Sequence, residues 1–259
     1  MCRWAAFIGQ PIFLDQVIEN PGHSLLVQSK AAEEAKTAIN ADGFGVAWYD
    51  HRPQPGLYRD VLPAWSDPNL ASVARQIRSG LFLAHVRAST GSAISRNNCH
   101  PFASGNWSFM HNGQIGGFEK FRRSADMLIP EELYHERKGA TDSEVLFLRA
   151  LYHGLDTDPA KALCQAARDL DMLSREKGET PHLRLSVAMS DGKRLFAARA
   201  SSDHIAPTVY YRRCETSAGW MVVSEPLEDG QDGWVELPPG QIATFTKDTV
   251  DLQPFCVKP

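Results

Sequence analysis

Cysteine at the second position of the chain is the first residue able to do chemistry. An initiator methionine before so small a residue is normally trimmed, and loss of Met1 would leave Cys2 with a free α-amino group. A thiol near its reference pKa of about 8.5 is mostly protonated at neutral pH, and an α-amine of pKa about 8 beside it can take the proton. Nucleophile and base would then share one residue. Position alone favours a plainer role, since a free cysteine is most often a small buried residue. A nucleophile therefore needs partners. Thiolate attack on an amide needs donors for the developing oxyanion, and a side-chain amide plus a glycine N–H supplies two, as at Asn112-Gly113. Asn-Gly is also the commonest hairpin turn. Arg87 closes a very apolar stretch, where a guanidinium can grip a carboxylate through two bonds. Asp142 suits an ammonium, although an acid in the first turn of a helix stabilises that helix anyway. An Arg and an Asp facing one pocket would recognise the zwitterionic end of an amino acid, which makes an amino-acid amide the substrate class.

The elements that must carry these groups follow from periodicity and turn chemistry. Residues Arg3 to Ile8 read as a strand ending in a turn at Gly9-Gln10-Pro11, and Gly43 and Gly45 open a second strand, Val46 to Tyr49. Leu70, Val73, Ala74 and Ile77 fall at helical spacing, with Gly80 as the predicted stop. The apolar stretch 81–90 reads as a buried strand, and the stretch 107–113 as another that halts at an Asn-Gly turn. Thr141 is an expected N-cap with Glu144 as its capping-box partner, and a second helix runs from about Pro159 to Lys177. A hairpin over Asp191-Gly192 follows, then short strands at Thr208 to Arg213, Trp220 to Ser224, Trp234 to Leu237 and Gln241 to Thr246. Strands, two central helices and more strands predict an α+β layered sandwich, with residues 1–259 as a single domain.

Composition narrows the partners. Of the 259 residues, 43% are hydrophobic and 22% charged, an ordinary globular balance. A net charge of −4 offers no basic footprint for nucleic acid or an acidic membrane. No apolar run reaches the roughly 18 residues of a membrane span, and no signal peptide is visible, so a cytoplasmic location is expected. Cysteines at 2, 99, 164, 214 and 256 are odd in number and include no C-x-x-C pair, which argues against a disulfide framework or a zinc site. His85, His100 and His111 lack ligand spacing, so neither a metal nor another cofactor is expected; His111 is read as orienting the strand end beside Asn112.

The ordered set Met1-Cys2, DGFG, HVRAST, NNCHPF, HNG, TDSE and VVSEP resembles the class II glutamine amidotransferase domain of the N-terminal-nucleophile hydrolases, over nearly the whole chain. The resemblance implies a four-layer αββα sandwich of two mostly antiparallel sheets with outer helices. It also implies that Cys2 attacks the glutamine side-chain amide to give a thioester, with Asn112 and Gly113 forming the oxyanion hole. Arg87 would bind the α-carboxylate, Asp142 the α-amine, and Thr90 would line the glutamine pocket. Ser224 and Glu225 are expected to support the site from behind. Relatives linked to synthases often carry Trp and His where Ala88 and Gly91 stand here, which implies altered pocket walls. With no synthase domain before Pro259, the expected roles are a subunit passing ammonia to a synthase partner or a simple amidohydrolase. The start Met-Cys-Arg and the segment 223–229 are similar to stand-alone γ-glutamyl hydrolases of the ergothioneine pathway, for which glutamine is the smallest γ-glutamyl amide. A non-catalytic glutamine-binding regulatory subunit is the alternative from another class.

Overall fold

The computed structural model describes residues 2–33, 39–89, 93–228 and 233–255. In chain order the strands are β1 (Arg3–Phe13), β2 (Phe44–Tyr49), β3 (Gly56–Asp60), β4 (Arg78–Val86), β5 (Phe102–Ser104), β6 (Trp107–Ile115) and β7 (Leu183–Ser190). They continue with β8 (Leu195–Ser201), β9 (Tyr210–Cys214), β10 (Gly219–Val223), β11 (Val235–Glu236), β12 (Gln241–Phe245) and β13 (Val250–Pro254). The helices are α1 (Asp15–Ile18), α2 (Leu25–Lys30), α3 (Pro68–Gln76), α4 (Phe118–Asp126), α5 (Glu131–Tyr134), α6 (Asp142–Tyr152) and α7 (Pro159–Lys177).

A seven-stranded sheet runs β11-β9-β10-β1-β4-β2-β3 and a six-stranded sheet β13-β12-β8-β7-β6-β5. The pairings between neighbouring strands are antiparallel. Strand β1 shows how the layers form, because successive side chains face opposite sides and both sides are buried. Trp4, Ala6 and Ile8 pack with Leu83, Met110, Ala188 and Phe245 in a core between the two sheets. Ala5 and Phe7 pack instead with Val17, Leu25 and Leu70 of α1, α2 and α3. On the far side, Phe109, Val187 and Phe196 of the six-stranded sheet pack against Phe121, Leu146 and Leu163 of α4, α6 and α7. The expected α+β four-layer sandwich is the observed fold.

Several local expectations change. Gly9-Gln10-Pro11 does not end β1, which continues to Phe13 across a register shift between Ile8 and Ile12. A bulge tolerates Pro11, which has no N–H to donate. Gly80 lies inside β4 and does not stop α3, which ends at Gln76. A Cβ at Gly80 would sit 2.9 Å from the Gly9 carbonyl oxygen, so its bareness serves the bulged crossing of β1. The helix over Pro159–Lys177 and the β7–β8 hairpin with Gly192 at φ +85° stand as expected.

Candidate active site

Cys2 precedes β1, on the face that carries Trp4 into the inter-sheet core. Two hydrogen bonds hold the thiol to β4's extension: the Ala88 N–H donates to Sγ at 3.4 Å and Sγ donates to the Ala88 carbonyl at 3.5 Å. Burial pushes the Cys2 thiol up, and the Ala88 N–H and the guanidiniums of Arg87 and Arg3 pull it partly back. The backbone behind it is pinned by Ser224, whose Oγ accepts from the Trp4 N–H at 2.9 Å while its own N–H donates to the Trp4 carbonyl at 2.9 Å. Arg3 is buried against Glu225 at 3.4 Å, and Glu225 also meets His23 at 2.6 Å and the Glu33 N–H at 3.0 Å. Ser224 and Glu225 thus both hold the two residues that follow Cys2. Among the described residues, His23, Glu33 and Glu225 are the group with ligand atoms within 4.8 Å of one another. With the Glu225 carboxylate met by a guanidinium and an imidazole, the chemistry of the set is that of a buried ion pair.

Asn112 reaches the same end of the inter-sheet layer from the opposite sheet. The Trp4 indole N–H donates across the layer to Ser186 Oγ at 3.1 Å, and Ser186 is the register partner of Asn112. Asn112 is 1% exposed, and neither its Oδ1 nor its Nδ2 has a hydrogen-bond partner among the described residues. Buried side-chain amides are rarely left so. Asn112 and Gly113 both lie within β6, paired with Ser186 and Leu185, and form no hairpin turn. Gly113 is bare for a cross-strand reason: a Cβ there would lie 1.9 Å from the Arg184 carbonyl oxygen.

Arg87 follows β4, one step beyond the Arg3–Val86 pair. Its guanidinium is seated by the Asp42 carbonyl at 3.1 Å and by Ser89 Oγ at 3.2 Å. Asp42 returns the favour by accepting the Ser89 N–H at 2.7 Å. Asp142 opens α6; its Oδ2 accepts from the Ile115 N–H at 2.8 Å and its Oδ1 from the Ser143 N–H at 2.7 Å. Thr141 caps the helix through Oγ1, accepting from the Glu144 N–H at 3.2 Å. Glu144 does not complete the capping box by reaching back to Thr141; it accepts from the N–H groups of Lys138 and Gly139 and pairs with Arg137 at 2.7 Å. Asn98 braces the same loop, accepting from Ala140 N–H and donating to the Ala93 carbonyl, both at 2.8 Å.

A thiol, a buried amide without a partner among the described residues, a seated guanidinium and a carboxylate therefore lie toward one end of the sandwich. The family model for class-II glutamine amidotransferases matches residues 20–214. The chain belongs to the class-II glutamine amidotransferases. It is 33% identical to the Saccharomyces cerevisiae protein named "Probable glutamine amidotransferase DUG3", covering 98% of this chain and 84% of that one. It is 30% identical to the γ-glutamyl-hercynylcysteine sulfoxide hydrolase of Mycolicibacterium smegmatis, covering 92% of each. A solved class-II domain protein from Silicibacter pomeroyi is 52% identical with a TM-score of 0.80, covering 98% of this chain and 99% of that one. The glutamine phosphoribosylpyrophosphate amidotransferase of B. subtilis, at 14% identity and TM-score 0.64, shares the fold over 50% of its length.

Of the residues expected at the site, Cys2, Arg87, Asn112, Gly113 and Asp142 occupy the places described above, while Thr90 falls outside the described residues. His85, His100 and His111 are buried, and burial disfavours their charged forms. The His85 and His100 rings meet in a tilted pair with centroids 4.4 Å apart, and burial, reinforced by Arg87 and His111, drives His85 down to about 3. His100 is likewise lowered by burial and by His85, and His111 by burial against the opposing pull of Asp142. Sequence reasoning missed Asp42, Asn98, Ser143 and Ser186. The first three sit inside the segments DGFG, NNCHPF and TDSE, where their polar side chains next to glycine or a helix start were the available signal. No described helix is long and apolar enough to cross a membrane.

Proposed function

We propose that the chain acts as a single-domain cysteine amidohydrolase of the cytoplasm, with Cys2 as nucleophile on glutamine or a γ-glutamyl amide. The observation that carries this reading is the buried side-chain amide of Asn112, which has no partner among the described residues and stands across the inter-sheet layer from Cys2. Once Met1 is removed, the α-amine takes the thiol proton and the thiolate adds to the amide carbon. The oxyanion is met by Asn112 Nδ2 and the Gly113 N–H. Collapse breaks the C–N bond, and the leaving nitrogen departs as ammonia or amine with the proton held by the α-ammonium. Water then cleaves the thioester to glutamate and the free thiol. Arg87 grips the α-carboxylate and Asp142 the α-ammonium, which fixes the γ-amide over the sulfur. His111, Ser224 and Glu225 support the site without touching substrate.

A leaving group larger than ammonia is favoured by two observations. A relative over 92% of the chain is named as a γ-glutamyl conjugate hydrolase, and the wall beside Arg87 is the small Ala88. Transfer of ammonia to a synthase partner is the competing outcome. The test compares product release from glutamine and from γ-glutamyl amides by wild-type protein and Cys2→Ala, with intact mass reporting Met1 removal and any thioester. Turnover that persists in Cys2→Ala overturns the proposal, and glutamine binding without thioester in the wild type assigns the chain to a regulatory role.

A further inference from the structure

The first turn of α6 grips β6 on both sides of Asn112-Gly113, a contact that the substrate-binding role of Asp142 does not require. Asp142 Oδ2 accepts from the Ile115 N–H at 2.8 Å, two residues beyond Gly113. On the other side, Ser143 Oγ lies 2.9 Å from Nδ1 of His111, the residue before Asn112. The proton placement follows from the acceptors. His111 Nε2 faces the Arg184 carbonyl at 3.3 Å, and a carbonyl oxygen can only accept, so in the neutral imidazole Nε2 carries the proton and Nδ1 is the lone pair. The single hydroxyl proton of Ser143 therefore goes to His111, although Asp142 Oδ1 is also within reach at 3.1 Å. Asp142 keeps its remaining lone pairs for a ligand, and the buried imidazole has both nitrogens satisfied.

Asn112 itself has no partner among the described residues to set its amide, so its aim depends on the backbone that carries it. That backbone has little freedom: an added Cβ at Gly113 would meet His111 Nε2 at 2.5 Å as well as the Arg184 carbonyl. We infer that Ser143 is a positioning residue for the oxyanion hole, acting through the His111 ring to hold Asn112 and the Gly113 N–H in line with the developing oxyanion. Resting on the hydrolase reading above, this assigns to the Asp142-Ser143 turn two tasks, ammonium recognition through one residue and oxyanion alignment through the next.

The test is a double-mutant cycle on glutamine hydrolysis with Ser143→Ala, Asn112→Ala and the combination, and with Ser143→Thr retaining the hydroxyl. Misalignment of a catalytic group by a fraction of an ångström costs roughly 10–100-fold, so Ser143→Ala should lower kcat by about that factor. KM should stay within about threefold because uniform binding is untouched. Ser143→Thr should recover most of the loss. In the Asn112→Ala background the Ser143→Ala step should cost clearly less than in the wild type, since one of the two aligned donors is already gone and only the Gly113 N–H remains to be misaligned. A Ser143→Ala penalty that is fully additive with Asn112→Ala, or one that falls on KM alone, overturns the inference. If Ser143→Ala does not fold, Ser143→Cys, a weak donor of similar size, carries the same expectations. Absence of turnover in the wild type would instead overturn the hydrolase reading, and this inference with it.

Discussion

Replacing Asn112 by Ala should separate stability from activity. The side chain is 1% exposed, and its two polar atoms have no partner among the described residues, so truncation breaks no hydrogen bond to any of them. A buried polar group without a partner costs about 1–3 kcal/mol, and Asn112→Ala relieves whatever part of that cost is not already met by solvent. Against this stands the cavity left by the amide: a few tens of Å³ at about 24 cal/mol per Å³ comes to about 1 kcal/mol. The two effects oppose each other, so the variant should unfold within about 1 kcal/mol of the wild type or be more stable, a change in Tm of no more than about 4 °C downward. Activity should move the other way in magnitude. Removal of one oxyanion donor lowers kcat by roughly 10²–10³-fold, or about 2.7–4 kcal/mol of transition-state stabilisation. Urea unfolding followed by far-UV circular dichroism gives the first quantity, and glutamate release under saturating substrate the second. A variant destabilised by more than about 2 kcal/mol would mean that the amide is bonded inside the fold. One whose kcat stays within about tenfold of wild type would remove Asn112 from the oxyanion hole.

Arg87→Lys should raise KM for glutamine roughly 10–100-fold, because a lysine cannot keep the Asp42 and Ser89 contacts and still offer a forked grip worth about 1.5–3 kcal/mol. Alkylation of Cys2 by a neutral electrophile should be retained, and an unmoved KM would take Arg87 out of carboxylate binding. Acid should destabilise the fold through its buried imidazoles. His85 is held down to about 3 by burial, with His100 and His111 also lowered, so the unfolded chain binds more protons than the folded one below about 6.5. Their contribution is fully present above about pH 6.5 and is lost as pH falls below it, for His85 down to about 3, with a slope of up to about 1.4 kcal/mol per pH unit for each histidine. Urea midpoints between pH 7.5 and 4.5 should show this fall, His85→Asn should flatten it, and a wild-type stability independent of pH across that range would contradict it.

What could be seen in the sequence depended on how far away each residue's partner lies along the chain. The helix over Pro159–Lys177 and the hairpin at Asp191-Gly192 are decided by neighbours within a turn, through Asp158 as N-cap and Gly192 at positive φ, and both were legible. Four-layer packing needed the resemblance, because alternation in β1 marks both faces as apolar without saying what covers each. Asn112-Gly113 misled for the same reason. The dipeptide fits a turn by its own propensities, and only β7, whose Arg184 carbonyl would lie 1.9 Å from any Cβ at 113, makes glycine obligatory inside a strand. Gly80 repeats the lesson, since a glycine at a helix end and a glycine under a crossing backbone are indistinguishable until Gly9 is placed above it. Glu144 does so in side-chain chemistry: its spacing from Thr141 promised a capping box, but the preceding loop bends back to offer the Lys138 and Gly139 N–H groups and Arg137, which together outbid a single N–H. At the candidate site, the groups proposed to react could be picked out by residue type, whereas Asp42, Ser143 and Ser186 could not. Each is a common polar residue whose importance comes from a single atom it faces: the Ser89 N–H, the His111 ring and the Trp4 indole. Residues that touch substrate must have particular chemistry and so can be guessed from identity. Residues that aim them need only be polar and in place, and that place exists only once the two sheets have closed.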